Sequence, residues 1–278
     1  MTLRGAPPRH ANAHRAAQCV GVVFALACGA AGAADYLNLP GARFESVLPQ
    51  GATPSLSVPV DIAPFALRVA PVTKGEFLRF VNTHPEWQRG RAPAVFADLR
   101  YLIDWRTPHE LQAPDADDRP VTNVSWFAAK AYCESESASL PTWLEWEYAA
   151  AADETRRDAR ADPQWRRRIL SWYERPAASV LPNVGGTPNA YGVRDMHGVV
   201  WEWVEDFNAL FISGDSRTQG DPDLLKFCGA GAISVIDRDS YAVLMRIALL
   251  SSLGAADTTG SLGFRCARPT SLTEGSGR

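Results

Sequence analysis

The sequence predicts an α+β fold in which short helices and strands are joined by long irregular segments. Nine tryptophans and twenty prolines among 278 residues indicate an architecture rich in loops and held by aromatic side chains. Two Thr-x-x-Glu sequences, at 73–76 and 142–145, have the spacing of capping boxes that begin helices. The alternation in Trp201-Glu202-Trp203 is typical of a strand with one buried face. A chain of this length can bury a large core, so its stability requires neither a metal nor many disulfides.

The elements follow in order along the chain. A strand pair is predicted over residues 36–47 and 56–69, and the capping box at Thr73 begins a helix with an apolar face. Residues 84–120 are predicted to form a long loop with an acidic tip at 115–118. A solvated tip is favoured there over a calcium site, because the glycine-turned calcium loop is absent. Ser125 caps a second helix, and Thr142 begins a third. Short strands and loops are expected after Asp162, and a disordered tail over 269–278.

The N-terminal 33 residues have the pattern of a signal peptide. Positive charge comes from three arginines, Arg4, Arg9 and Arg15. An apolar run extends from Ala16 to Ala31 and ends in the small residues Ala31-Gly32-Ala33, which resemble a cleavage site. We therefore predict a periplasmic or secreted protein. A transmembrane anchor and a lipoprotein signal at Cys28 are the alternatives, but the run is short and rich in Ala and Gly.

Charge and cysteine content restrict the classes of partner. Removal of residues 1–33 changes the formal net charge from −3 to about −6, and the one dense arginine patch, at 156–168, is interleaved with acids. Such runs usually form solvated helix faces, so we expect neither nucleic-acid binding nor membrane insertion after cleavage. Cys133, Cys228 and Cys266 would remain in an oxidising compartment, where two can pair and one is left over.

Three segments of the chain carry a resemblance to a known family. The first runs from Pro120-Val-Thr-Asn-Val-Ser-Trp126 to Ala150, the second is Asn189–Trp203, and the third is Leu262-Gly-Phe-Arg-Cys266. In this order and spacing they resemble the formylglycine-generating enzymes (sulfatase-modifying factors), and weaker matches extend the resemblance over 38–268. The resemblance implies one such domain over residues 36–268, with a compact fold distantly similar to C-type lectins.

The resemblance also implies how the cysteines pair. Cys133 and Cys266 fall on a family disulfide that ties the second helix to the last strand. A second family disulfide would join the positions of Ala150 and Ile247, and both of its cysteines are absent here. A disulfide is lost as a unit, so this joint absence agrees with the alignment.

The metal sites of the family are altered in this chain. Active members use oxygen to oxidise a substrate cysteine to formylglycine, with copper(I) held by two cysteines five positions apart. Counting back from Cys266, those positions are Asp237 and Ala242, so the resemblance implies a branch without the copper site. Members also hold a cation at a Gly-Asn-Val-Trp-Glu-Trp turn. Val199 replaces that Asn, and Glu202 alone would make a weak calcium site.

Three residues remain as candidates for other chemistry, namely Cys228, Asp237 and Arg246. Cys228 lies in a glycine-rich turn and could be a reactive thiol or a replacement metal ligand, together with Met196, His197 or Met245. The alternative is a buried cysteine that packs as a small apolar residue. His84, His109 and His197 do not have metal-ligand spacing with one another.

Three functions are compatible with these observations. The first is an accessory factor that uses the family's peptide-binding groove to help mature another exported protein. The whole sequence is similar to the accessory proteins found with copper nitrite reductases, which implies a redox protein as that partner. The second is an oxidoreductase with different chemistry, as in periplasmic relatives that take part in oxidising a siderophore chromophore. The third is a non-catalytic, lectin-like binding module that uses the 84–120 loop.

Overall fold

The computed structural model of the protein describes residues 1–2, 35–48, 58–113, 116–174, 180–210 and 241–270. From residue 35 onward these belong to one unit, Ala34–Arg278. The helices within them are α1 (Lys74–Thr83), α2 (Trp126–Ser135), α3 (Trp143–Ala150), α4 (Pro163–Tyr173) and α5 (Tyr241–Ser251). Single 3₁₀ turns occur at Pro85–Trp87 and Phe207–Ala209. No helix in these ranges is both long enough and apolar enough to cross a membrane.

The strands are short and form small separate sheets. In the described ranges they are β1 (Tyr36–Leu39), β2 (Ala42–Phe44), β3 (Val60–Ile62), β4 (Phe65–Arg68), β5 (Trp105–Thr107), β6 (Glu110–Leu111), β7 (Trp201–Glu202), β8 (Leu262–Gly263) and β9 (Ala267–Pro269). Strands β1, β4 and β9 form an antiparallel sheet in the order β1-β4-β9. Strands β2 and β3, and β5 and β6, pair antiparallel, whereas β7 and β8 pair in parallel. The predicted α+β class with little regular structure is confirmed.

The three predicted helix starts are present at the expected residues. Both capping boxes form, since Thr73 and Glu76 exchange side-chain and backbone hydrogen bonds at α1, and Thr142 and Glu145 do so at α3. At α2 the hydroxyl of Ser125 accepts a hydrogen bond from the amide of Ala128 at 3.2 Å. These local signals predict the helices because each satisfies backbone N–H groups that the first helical turn leaves free.

The prediction of short strands and loops after Asp162 is wrong, because α4 and α5 lie in that part of the chain. Asp162 caps α4, accepting from the amide of Gln164 at 2.7 Å, and Pro163 occupies the first helical position. Trp165 and Ile169, one turn apart, are buried. Three successive arginines separate these two residues and interrupt the apolar pattern. The predicted 84–120 loop likewise contains a 3₁₀ turn and the β5–β6 hairpin.

A disulfide joins Cys133 of α2 to Cys266, the residue before β9, with their Cα atoms 5.5 Å apart. This is the pair that the resemblance implied. The bond is fully buried and lies in a core that includes the mutually packed rings of Phe77, Tyr132 and Phe264. It spans 133 residues in sequence. Closing a loop of that length restricts the unfolded chain, and the lost conformational entropy stabilises the fold by on the order of 4–5 kcal/mol.

Residues 269 and 270, just past the predicted domain end at 268, contact the rest of the fold. Pro269 pairs with Phe65 in the β4–β9 ladder, and the hydroxyl of Thr270 donates to the carbonyl oxygen of Pro64 at 2.9 Å. Residues 271–278 of the predicted tail and residues 3–33 of the predicted signal peptide lie outside the described residues.

Candidate functional site

The position that the resemblance assigns to the second copper cysteine is Ala242, near the start of α5. Its side chain is buried in a small apolar cluster whose other members are Ala159, Trp165 and Ile169. Copper(I) takes soft thiolate or thioether ligands or imidazole nitrogen, and no side chain in this cluster offers one. The other copper position, Asp237, and the candidate thiol, Cys228, both lie outside the described residues.

His197 stands beside this cluster within a group of tryptophans. Its ring centroid lies 5.8 Å from that of Trp146, 5.7 Å from Trp165 and 6.1 Å from Trp172. The Nε2 atom lies 2.9 Å from the carbonyl oxygen of Ala150. A carbonyl only accepts hydrogen bonds, so the proton in this contact is on Nε2.

The aromatic surroundings keep His197 neutral. Burial lowers the pKa of His197 from 6.5 to about 4. The hydrogen bond to Ala150 opposes this shift, and the positive charge of Arg246 adds to it. Desolvation disfavours the charged imidazolium, which is why burial dominates. The residue therefore contributes an uncharged imidazole to the site at neutral pH.

A cavity of about 340 Å³ lies between α4 and the segment from 186 to 199. Its volume is at the lower end of the range for small-ligand sites. The apolar part of its wall includes Trp165, Ile169, Trp172, Pro188, Val193 and Met196. His197 also lines it, and a smaller recess that shares His197, Trp165 and Ile169 extends to Ala242. The cavity and the copper position are therefore neighbours.

The carboxylates of the cavity wall form hydrogen bonds or ion pairs with other groups of the chain. Asp195 accepts hydrogen bonds from the amides of Gly185 at 2.6 Å and Gly186 at 3.1 Å. Glu154 forms an ion pair with Arg168 at 3.0 Å. Asp153 accepts from the side chain of Arg156, and these hydrogen bonds hold the pKa of Asp153 well below its usual range. The cavity can therefore receive an uncharged group without separating a charge from its partner.

Gly198 allows one wall of the cavity to form. Its φ is +87°, a region that L side chains rarely adopt. A Cβ at this position would lie 2.8 Å from Cδ2 of Trp172, so the indole packs directly against the glycine backbone. Glycine is required at position 198 because the backbone φ is positive and because the Trp172 indole leaves no room for a Cβ.

The candidate Arg246 is placed in the core. It is 1 % exposed, its guanidinium carbon lies 3.5 Å from the ring centroid of Trp146, and it donates to the carbonyl oxygen of Glu202. It is absent from the described residues that line the two cavities. These contacts connect α5 to α3 and β7, so they give Arg246 a structural role.

Glu202, the calcium candidate, faces a guanidinium group. Its carboxylate accepts from Arg265 Nε at 2.9 Å and Nη2 at 2.8 Å, and from the Trp146 indole at 2.7 Å. A calcium ion would compete with Arg265 for the same two oxygens, so we do not retain Glu202 as a metal ligand. Across the described ranges, no group of three or more His, Cys, Asp or Glu side chains is arranged to hold a metal.

Most of the chain matches one known protein family. Residues 31–270 match the family described as "Sulfatase-modifying factor enzyme 1-like domain". The chain belongs to this family. Membership agrees with the predicted fold, in which the Trp201–Trp203 and Leu262–Cys266 segments meet through the parallel strands β7 and β8.

The names of the relatives indicate different activities. The "Formylglycine-generating enzyme" of Streptomyces coelicolor is 30% identical over 86% of this chain and 91% of its own length. The "Inactive C-alpha-formylglycine-generating enzyme 2" of Bos taurus is 27% identical over 84% of this chain and 87% of its own length. The "Hercynine oxygenase" of Mycolicibacterium smegmatis is 32% identical over 52% of this chain, which spans only 37% of that protein.

Several residues of this sulfatase-modifying-factor-like site were not predicted from the sequence. Trp165, Ile169 and Trp172 lie on α4, in a region where short strands and loops were predicted. A signal for them exists, because the Asp162-Pro163 pair begins a helix and the seven-residue spacing of the two tryptophans places both on one face. The contact between Gly198 and Trp172 joins distant parts of the chain and has no local signal.

Proposed function

We propose that this protein is an exported formylglycine-generating-enzyme-like factor that lacks copper-dependent oxidase activity and assists the maturation of another exported protein. One observation carries the proposal, which is the packing of Ala242 among the carbon atoms of Ala159, Trp165 and Ile169. A methyl group in such surroundings cannot hold copper(I). The predicted signal peptide supports export, and the bovine relative that is named inactive supports a member without turnover.

The cavity beside Ala242 supports the binding of a segment of the partner protein. It adjoins the position assigned to the copper cysteine, and its charged groups are satisfied within the chain. An uncharged side chain from an extended peptide suits such a wall of Trp165, Trp172 and Met196. The similarity to accessory proteins of copper nitrite reductases makes a periplasmic redox enzyme our proposed partner.

A direct assay tests the absence of formylglycine chemistry. The mature protein, purified from the periplasm, is loaded with copper(I) and incubated with oxygen and a cysteine peptide from a sulfatase. The Streptomyces coelicolor enzyme serves as the positive control. We expect no formylglycine by mass spectrometry and no stoichiometric copper by elemental analysis. Conversion of the peptide together with one bound copper per chain would overturn the proposal.

A second assay tests the accessory role. A copper nitrite reductase is expressed in the same periplasm with the wild-type protein, without it, or with a variant in which Trp172→Ala enlarges the cavity. We expect a lower specific activity of the reductase in the second and third cases. Equal activity in all three would remove the redox-enzyme partner from the proposal.

A non-canonical oxidoreductase is the second candidate function. It is favoured by the hercynine oxygenase relative, whose name indicates an oxygen-dependent reaction in the same family. In this case Cys228 and Asp237 would be the groups to test, since Arg246 is buried against Trp146. Oxygen uptake by the purified protein that is lost in Asp237→Ala would favour this function over the accessory role.

A further inference from the structure

The composition of the cavity wall restricts which kind of side chain it can bind. Trp165 and Trp172 line the cavity from one face of α4. Seven residues of an α-helix advance by about 10 Å, so the two indoles form an extended aromatic wall. The buried thioether of Met196 lies on the side formed by residues 186–199. Indole rings and thioethers both make favourable contacts with another aromatic ring, so this wall favours an aromatic group.

Asp195 adds a fixed hydrogen-bond acceptor to the same wall. Each oxygen of its carboxylate accepts one backbone hydrogen bond, Oδ2 from Gly185 at 2.6 Å and Oδ1 from Gly186 at 3.1 Å. A carboxylate oxygen can accept two hydrogen bonds, so Asp195 has capacity for a donor from a ligand. Its φ of +57° lies in the left-handed region, which aspartate tolerates better than most residues. The acceptor is therefore positioned by the backbone before any ligand arrives.

The carboxylates of the wall disfavour an anionic ligand. Three of them line the cavity, those of Asp153, Glu154 and Asp195. Arg156 pairs with Asp153, and Arg168 pairs with Glu154. A carboxylate or phosphate group would have to break one of these pairs or lie beside a negative charge, and like charges in contact oppose binding.

A cationic ligand is disfavoured by guanidinium groups that are already in place. The guanidinium carbon of Arg168 lies 5.9 Å from the ring centroid of Trp172 while its nitrogens pair with Glu154. Arg194 donates to the carbonyl oxygens of the same two glycines whose amides hold the Asp195 carboxylate. A cation would therefore meet a like charge both at the indole and near the carboxylate.

We propose that the cavity binds a tyrosine or tryptophan side chain of the client protein, with the phenol O–H or indole N–H donating to Asp195. This inference rests on the proposed accessory function and names the group that the cavity selects. The aromatic body packs against Trp165, Trp172 and Met196, and the single donor fixes its orientation. Tyrosine and tryptophan combine an apolar ring with one polar donor, which matches a wall that is aromatic and carries an acceptor.

NMR titration of the mature protein with capped, uncharged peptides of glycine and serine tests the selectivity. The peptides differ only in one central residue, which is Tyr, Trp, Phe, Leu, Lys or Glu. We expect the Tyr and Trp peptides to bind most tightly. The Phe peptide should bind about tenfold more weakly than the Tyr peptide, because it lacks one hydrogen bond to a charged acceptor. The Leu, Lys and Glu peptides should bind more weakly than the Phe peptide.

Substitution of the acceptor separates its role from that of the wall. Asp195→Asn should weaken binding of the Tyr peptide about tenfold and leave the Phe peptide unchanged, which also shows that the variant is folded. Trp172→Leu should weaken both peptides. The matched control is Asp61→Asn, since Asp61 is exposed on β3 and does not line the cavity, and this variant should bind both peptides as the wild type does.

Four results would overturn the aromatic site. They are the absence of saturable binding of the Tyr peptide, equal affinity for the Tyr and Phe peptides, tighter binding of the Lys or Glu peptide, and an equal loss of both aromatic peptides in Asp195→Asn. Free p-cresol or indole that binds as tightly as the peptides would assign the cavity to a small aromatic molecule instead of a client segment. Equal reductase activity with and without the protein would remove the proposed partner and leave the aromatic selectivity in place, so the two failures can be told apart.

Discussion

Arg265 and Glu202 form a bidentate ion pair from which solvent is fully excluded. Glu202 lies in β7 and Arg265 follows β8, so the pair joins the two family segments that the parallel strands also bring together. The Trp146 indole donates to the same carboxylate, and Arg246 contacts the carbonyl oxygen of Glu202. The residues that identify the family therefore act as a structural centre beneath the candidate site.

Removal of one partner from this pair should strongly destabilise the fold. We expect Arg265→Met to lower the free energy of unfolding by about 3–5 kcal/mol, because it leaves the Glu202 carboxylate buried without its counter-charge. The control is Arg106→Met, which breaks the half-exposed pair between Arg106 and Glu110 and should cost less than about 1 kcal/mol. Urea denaturation measures both. Similar losses in the two variants would contradict the structural role of the buried pair.

The disulfide should resist reduction in the folded protein. Cys133 and Cys266 are both fully buried, so a thiol reagent should open the bond only in denaturant. The double variant Cys133→Ala/Cys266→Ala should lose about 2–5 kcal/mol of unfolding free energy. Thiol titration with and without urea, followed by denaturation of the variant, provides the measurement. Rapid reduction of the native protein would show that the bond is accessible.

The stability of the protein should depend on pH through His197. The folded-state pKa is about 4, below the ordinary 6.5, so the unfolded chain binds a proton more readily between these values. Stability should therefore fall as the pH drops from about 6.5 to about 4, by about 1–3 kcal/mol. His197→Gln keeps a donor toward Ala150 and should flatten this part of the curve. An NMR titration of His197 with a midpoint near 6.5 would contradict the expectation.

The contact between Gly198 and Trp172 can be separated from backbone strain. Gly198 and Gly90 both have positive φ, +87° and +80°, but a Cβ at Gly90 meets no atom within 4 Å. We expect Gly90→Ala to cost about 1–2 kcal/mol from conformation alone. Gly198→Ala should cost at least about 1 kcal/mol more, because its methyl displaces the indole, and it should change the tryptophan fluorescence. Equal losses without a spectral change would place Trp172 elsewhere.

The parts of the fold that the sequence predicted are those with strong local signals. Thr73 and Thr142 begin helices because each lies three residues before a glutamate that completes a capping box. Helix α4 lies where short strands and loops were predicted, although Asp162 and Pro163 mark its start.

The sequence by itself determined the family and the cysteine pairing that the family implies, and it predicted that Ala242 stands where a copper ligand would be. These follow from residue identity at fixed spacing, which the chain carries without folding. Only the tertiary structure decided that Arg246 is buried against Trp146, that Glu202 faces Arg265, and that a cavity forms next to His197. Such roles depend on which side chains from distant segments meet, and on whether burial and neighbouring charge leave a group free to react.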